Sequence, residues 1–195
     1  MTDSASADHT ASDRPTRRAL LAAGVVAAAL AMTGPRPASA GTAGLSGLSD
    51  ADSALAGFAI SVELTARDLY DATIGAGSSG RLWTTLREQH EAYAQRLAGI
   101  SGIPADTRVE AVYDAMSESL STVDPADAAL ELENVAAATH FGLLGAIGDG
   151  ELASAIASIS AMESRHAAVL AIEAGRGGDL DALFVNPANP LSPEA

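Results

Sequence analysis

The chain has 195 residues, a formal net charge of −14, no cysteine, and arginine as its only strongly basic residue. That length suits one domain with a full core, and the lack of cysteine excludes both a disulfide framework and a thiolate metal site. So acidic a surface repels phosphate backbones and anionic lipid, which argues against nucleic-acid partners and peripheral membrane attachment.

Residues 1–18 are polar and end in Thr16-Arg17-Arg18. An uncharged apolar run follows from Ala19 to Thr33. Gly34-Pro35 breaks it, and Ala38-Ser39-Ala40 supplies a small-residue cleavage site. This order is that of a cleavable secretory signal peptide over residues 1–40. The apolar run is shorter than the ~20 residues of a spanning helix, so no stable membrane insertion is expected once the signal is removed. The adjacent arginines, the long polar leader and Arg36 point to the twin-arginine route. The mature protein is therefore expected to be exported, either secreted or held at the cell envelope.

Residues 41–49 read as a flexible lead-in. Ser49 caps a first helix from about Asp50 to Ile74. The loop Gly75-Ala76-Gly77-Ser78-Ser79-Gly80 precedes a second helix from about Arg81 to Ile100, ended by Gly102-Ile103-Pro104. Asp106 or Thr107 opens a shorter helical stretch to about Ser119. Asp124-Pro125, a capping acid followed by proline, starts the third long helix, which is expected to reach Ile147. Gly148-Asp149-Gly150 forms the turn. A fourth helix from Glu151 to Ala174 stops at Gly175. Residues 176–195 form a tail in which Leu180, Leu183 and Phe184 can fold back, with a loose end beyond Pro187. No stretch alternates with period two. The fold class is all-α: residues 50–175 form a four-helix bundle with a crossover connection between helices 2 and 3.

Residues three, four and seven apart share a helix face. Glu63 lies on the face of Ala56, Ala59, Ile60, Ala66 and Tyr70. His90 lies with Leu86, Tyr93, Ala94 and Leu97. Glu133 lies with Ala129, Leu130, Ala136, Ala137 and His140. Glu163 lies with Ile156, Ile159, Ser160, His166, Ala167 and Leu170. Each long helix thus sets an ionisable residue in the middle of its apolar stripe. A lone carboxylate there costs several kcal/mol unless it is paired or binds a metal. Glu131, beside Asp127 and Asn134, belongs to the solvated side. Tyr70 and Tyr93 read as core aromatics with a hydrogen bond, Trp83 as packing, and Glu88, Glu91 and Arg87 as solvated. A weak repeat joins the two halves: Glu63 precedes Tyr70 by seven residues, as Glu133 precedes His140. The octets His90–Leu97 and Glu163–Leu170 share polar first and fourth positions and a final leucine.

These residues resemble the ferritin-like superfamily, which includes rubrerythrins and bacterioferritins, and in particular exported ferritin-like proteins of actinobacterial type. The resemblance covers about Ala51 to Ala174. The family's carboxylate site takes one Glu from each of two helices and a Glu-x-x-His from each of the other two. Glu163-Ser164-Arg165-His166 matches that motif, and Glu63 and Glu133 match the single glutamates. The second helix departs, with His90 in place of Glu and Tyr93 in place of His. The resemblance implies metal ligands among Glu63, His90, Glu133, Glu163 and His166, with Tyr93 and His140 as further candidates. Oxygen and imidazole ligands suit Fe or Mn, as one or two ions, and imply ferroxidase- or peroxidase-like redox activity. The alternative is a metal-free network of buried hydrogen bonds in a non-catalytic scaffold for binding or self-association. A homo-oligomer, a dimer, is the expected assembly.

Overall fold

Four helix starts, those of α1, α4, α5 and α6, are capped by a serine or an aspartate just ahead of them. The structure, a computed structural model, describes residues 47–193 except Val123. The residues expected to form the signal peptide, and most of the lead-in, lie outside that span. Ser49 Oγ accepts the Asp52 amide at the head of α1, Asp50–Gly75. α2 spans Arg81–Ser101 and ends at Gly102, whose φ of 72° is the left-handed conformation that glycine adopts without a Cβ penalty. α3 spans Glu110–Thr122. α4, Pro125–Leu143, is capped by Asp124, which accepts the Ala126 amide. α5, Gly150–Glu173, is capped by Asp149, which accepts the Leu152 amide. A single-turn α6, Leu180–Phe184, follows. The described residues contain no strand, and none of their helices is long and apolar enough to cross a membrane.

α1 packs most extensively on α2, and α4 on α5. The two hairpins meet along α1–α4 and α2–α5. Glu63 faces His140 while Tyr70 faces Glu133, so α1 and α4 run antiparallel. The crossover makes that sense possible. It carries the chain from the end of α2 through α3, which packs on both α1 and α4.

Several boundaries differ from expectation. The short helix spans Glu110–Thr122, rather than starting at Asp106 or Thr107 and ending at about Ser119. Residues just before it are tied to α1: the Val109 amide donates to Thr65 Oγ1 at 2.9 Å, and Arg108 pairs with Asp68 at 2.9 Å. α4 ends at Leu143 rather than Ile147, where i→i+3 bonds from Leu144 and Ala146 tighten the chain into turns. The tail is not loose through Leu191. Leu183 packs against the core, Asn186 Nδ2 donates to the Asn134 carbonyl, and the Leu191 amide donates to Thr139 Oγ1. Phe184 stays 81 % exposed.

Two apolar clusters fill the bundle. One gathers Tyr70, Trp83, Leu86, Leu130 and Leu170; the other gathers Ile60, Leu97, Leu143, Leu152 and Ile156. On α2, His90 lies between Leu86 of the first cluster and Ala94 of the second. On α4, Glu133 and His140 lie between Leu132 and Leu143. On α5, Glu163 and His166 lie between Ile159 and Ala167. The ionisable residues thus form a polar layer sealed at both ends by apolar side chains.

Candidate metal centre

Glu63, His90, Glu133, His140 and Glu163 are fully buried, and His166 nearly so. All three histidines of the described residues are in this layer, with three glutamates as partners. Glu131 is exposed, as its polar neighbours suggested. Along α4, Glu133 and His140 are two turns, ~10 Å, apart, so the layer has depth along the bundle axis. Glu163 and His166 on α5 likewise point to successive levels.

At one level stand His90, Glu133 and His166; at the other, Glu63, His140 and Glu163. Within each group, one ligand atom per residue lies within 4.8 Å of the others. The structure therefore separates the two members of the Glu-x-x-His motif. Glu163 meets His140, whose Nδ1 donates to both of its carboxylate oxygens at 2.9 and 3.0 Å. His166 Nδ1 donates to Glu133 Oε2 at 3.2 Å. His140, a subsidiary candidate in the sequence, is central to the second group. Tyr93, the other, lies at the rim. Its ring centroid is 6.0 Å from that of His90 and 6.4 Å from that of His166.

His90 ties the groups together. Its Nδ1 donates to Glu63 Oε2 at 2.6 Å and its Nε2 to Glu133 Oε1 at 3.0 Å. An imidazole that donates from both nitrogens is an imidazolium. Burial opposes that charge, but the charges of Glu133 and Glu63 and their hydrogen bonds outweigh it and raise His90 well above its ordinary value. Glu133 has every oxygen engaged, since Tyr70 also donates to Oε1 at 2.6 Å. Burial pushes the Glu133 carboxyl up. The His90 charge and the hydrogen bonds from His166 and His90 overcome this and hold it at about 2. Tyr70 rises well above the usual phenol value, through burial and then the charge of Glu133.

The second group is carboxylate-rich and less well satisfied. Burial pushes Glu163 up, the His140 charge pulls it down, the Glu63 charge adds to the rise, and it reaches about 7. Burial lowers His140, but Glu163's charge and hydrogen bond, with Glu63's charge, raise it to about 9. His140 Nε2 and Glu63 Oε1 stand 3.5 Å apart. That is close enough for charge attraction and too long for a sound hydrogen bond. Both atoms are buried, and neither has a hydrogen-bond partner. An orphaned buried polar atom costs ~1–3 kcal/mol. Two donors held ~2.1 Å from one tetrahedral ion stand ~3.4 Å apart. The donor set, one imidazole and two carboxylates, is of the kind that binds first-row divalent metals. The residues of this group therefore fit a metal ion.

Sequence reasoning missed Gln89. Its Oε1 lies 2.5 Å from His166 Nε2. The available signal was its i,i+4 relation to Tyr93, which puts both on the flank of the His90 stripe. A surface cleft of about 700 Å³ between α4 and the tail is lined by residues such as Asp127, Glu131, Asn134 and Arg176 and contains none of the six ionisable residues. Its openness to solvent and lack of buried polar groups set it apart from the chemistry of the core.

A bundle of two antiparallel hairpins joined by a crossover, with buried carboxylates and imidazoles at mid-height, defines a class of helical carboxylate proteins. A family model described as ferritin-like domain matches residues 43–175, and the chain belongs to that family. Comparison with curated proteins and with solved structures gives no match.

Proposed function

We propose that this ferritin-like domain binds a redox-active divalent metal, iron or manganese, in its buried core. Glu63 Oε1 and His140 Nε2 would hold the first ion, with Glu163 orienting the imidazole through Nδ1. The observation that carries this reading is the unpartnered pair His140 Nε2 and Glu63 Oε1, in a group with two carboxylates. His90, Glu133 and His166 form a second candidate group, already satisfied by internal hydrogen bonds. Iron or manganese bound there would supply one-electron chemistry toward oxygen or peroxide. Around it, Tyr70 fixes Glu133, His90 fixes Glu63, and the two apolar clusters exclude water. This is the ferroxidase- or peroxidase-like reading, and the finer likeness to rubrerythrins and to exported proteins of actinobacterial type belongs to it. So do export through a signal peptide in residues 1–40 and assembly as a homodimer.

A second reading is favoured by the imidazolium of His90 between two carboxylates. Three glutamates and three histidines can balance one another without metal, leaving a scaffold for binding or self-association. Incubation with Fe(II), followed by the rate of Fe(II) oxidation by oxygen and by peroxide, separates the two. The redox reading expects turnover that Glu163→Ala abolishes. Absence of turnover in the folded protein, or its survival in Glu163→Ala, contradicts that reading.

A further inference from the structure

The polar layer is closed unequally on its sides. Between α1 and α2, Arg67 pairs with Glu91 at 2.9 Å and Arg87 with Asp71 at 3.0 Å. Beside α1 and α4 lies α3, with Val109 bonded to Thr65. α4 and α5 are in close apposition, and Ser160 Oγ donates to the Ala137 carbonyl. Between α2 and α5, by contrast, one hydrogen bond crosses among the described residues, that of Gln89 with His166. No ion pair joins those two helices among the described residues. His166 is also the cluster member with the most exposed side chain, at 8 %, where the side chains of the five others are at 0 %.

Gln89 is half-buried and sits at the outer end of this seam. Tyr93, one turn on, lays its ring within 15° of parallel to that of His166. Beyond His166 Nε2, therefore, the polar path to solvent meets one amide, held by one hydrogen bond on a flexible side chain. Its neutral carbonyl oxygen suits a passing cation, to which it offers a ligand without trapping it as a carboxylate would.

We propose that Gln89 gates the α2–α5 seam, with Tyr93 as the fixed wall, and that divalent cations reach the buried cluster past His166 when the Gln89–His166 bond opens. The route concerns access to the cluster, and only the identity of what passes rests on the metal reading above.

The direct test uses no metal. The full chain is treated with diethyl pyrocarbonate, which acylates accessible imidazole nitrogen, and each histidine is followed by peptide mass spectrometry. His166 is expected to react before His90 and His140. Gln89→Ala should speed His166 modification about ten-fold, the shift expected in a local opening equilibrium when one hydrogen bond is lost. Gln89→Leu keeps the bulk without the bond and should fall between. Should Gln89→Ala fail to fold, as judged by circular dichroism, Gln89→Asn replaces it, with the same direction expected. An unchanged His166 rate in folded variants overturns the gate, and so does simultaneous reaction of His90, His140 and His166 at the global unfolding rate. Transfer of Zn(II) from the loaded chain to a chromophoric chelator adds the cation readout. Gln89→Ala should accelerate it with the same final zinc per chain, whereas an unchanged rate contradicts the route. A chain that retains no zinc contradicts the metal reading and leaves the modification result to decide the gate.

Discussion

His140 Nε2 and Glu63 Oε1 face each other at 3.5 Å in the bundle core, and neither has another partner. Everything around them is paired: His90 holds the other oxygen of Glu63, and Glu163 holds the other nitrogen of His140. The mismatch is local, and a cation between the two groups would satisfy both.

The pH dependence of the metal-free protein follows from three of these groups. Glu163 rises from 4.5 to about 7, so the native chain keeps a proton that the unfolded chain releases, and stability falls as pH rises through that window. His140 rises from 6.5 to about 9; its contribution is complete below 6.5 and lost as pH climbs to 9. Glu133 is depressed from 4.5 to about 2, so its contribution is present above 4.5 and lost as pH falls toward 2. The thermal midpoint of metal-free protein is expected to be highest near pH 5 and to decline on both sides. Bound metal should flatten the alkaline decline, because it favours the deprotonated ligands. Scanning calorimetry across pH, with and without Mn(II), checks both statements.

Tyr70→Phe removes one charge-assisted hydrogen bond to Glu133 and leaves the ring packed against His90. The expected loss is about 2 kcal/mol, or a thermal midpoint lower by about 4–8 °C in a chain of this size. An unchanged midpoint would mean that Glu133 is held by His90 and His166 alone.

Asp52 latches the start of α1 to the α4–α5 turn, accepting the Gly148 amide at 2.8 Å and the Ser49 hydroxyl at 3.0 Å. Asp52→Ala leaves that amide unpaired, and a loss of about 1–2 kcal/mol is expected. Because Asp52 is far along α1 from Glu63, metal content should not change. Chemical denaturation paired with elemental analysis checks the separation.

Thr139 neighbours His140 in sequence, yet its hydroxyl serves the tail by accepting the Leu191 amide. Thr139→Val should release the end of the chain to limited proteolysis with less than about 1 kcal/mol lost from the bundle. Cleavage confined to residues after Pro187 is the expected pattern.

Much of this architecture is legible in the sequence because its signals are local. Ser49 and Asp124-Pro125 announce helix starts, and each forms its cap; Asp149, read as part of a turn, caps α5 as well. Face counting places Glu63, His90, Glu133 and Glu163 inside, and all four are buried. What it cannot give is the partner across the bundle. Glu163 and His166 share a helix face, but their ~4.5 Å separation along the axis sends one to His140 and the other to Glu133. The Glu-x-x-His spacing therefore suggests a common ligand pair where the structure forms two levels. Gln89 escapes for a related reason, since a flank residue gains a role only when another helix brings His166 to it. The tail and the start of α3 are set by tertiary hydrogen bonds to Thr139, Asn134 and Thr65, which no local pattern encodes.

The Glu63–His140–Glu163 group is expected to bind a metal ion, and the decisive quantity is metal per chain. The protein is incubated with Fe(II) or Mn(II), cleared of excess, and measured by elemental analysis beside Glu63→Gln and His140→Leu. At least one tightly held ion per wild-type chain is expected, and its loss in both folded variants. A folded wild-type chain that retains no metal, or variants that keep the full amount, would contradict it.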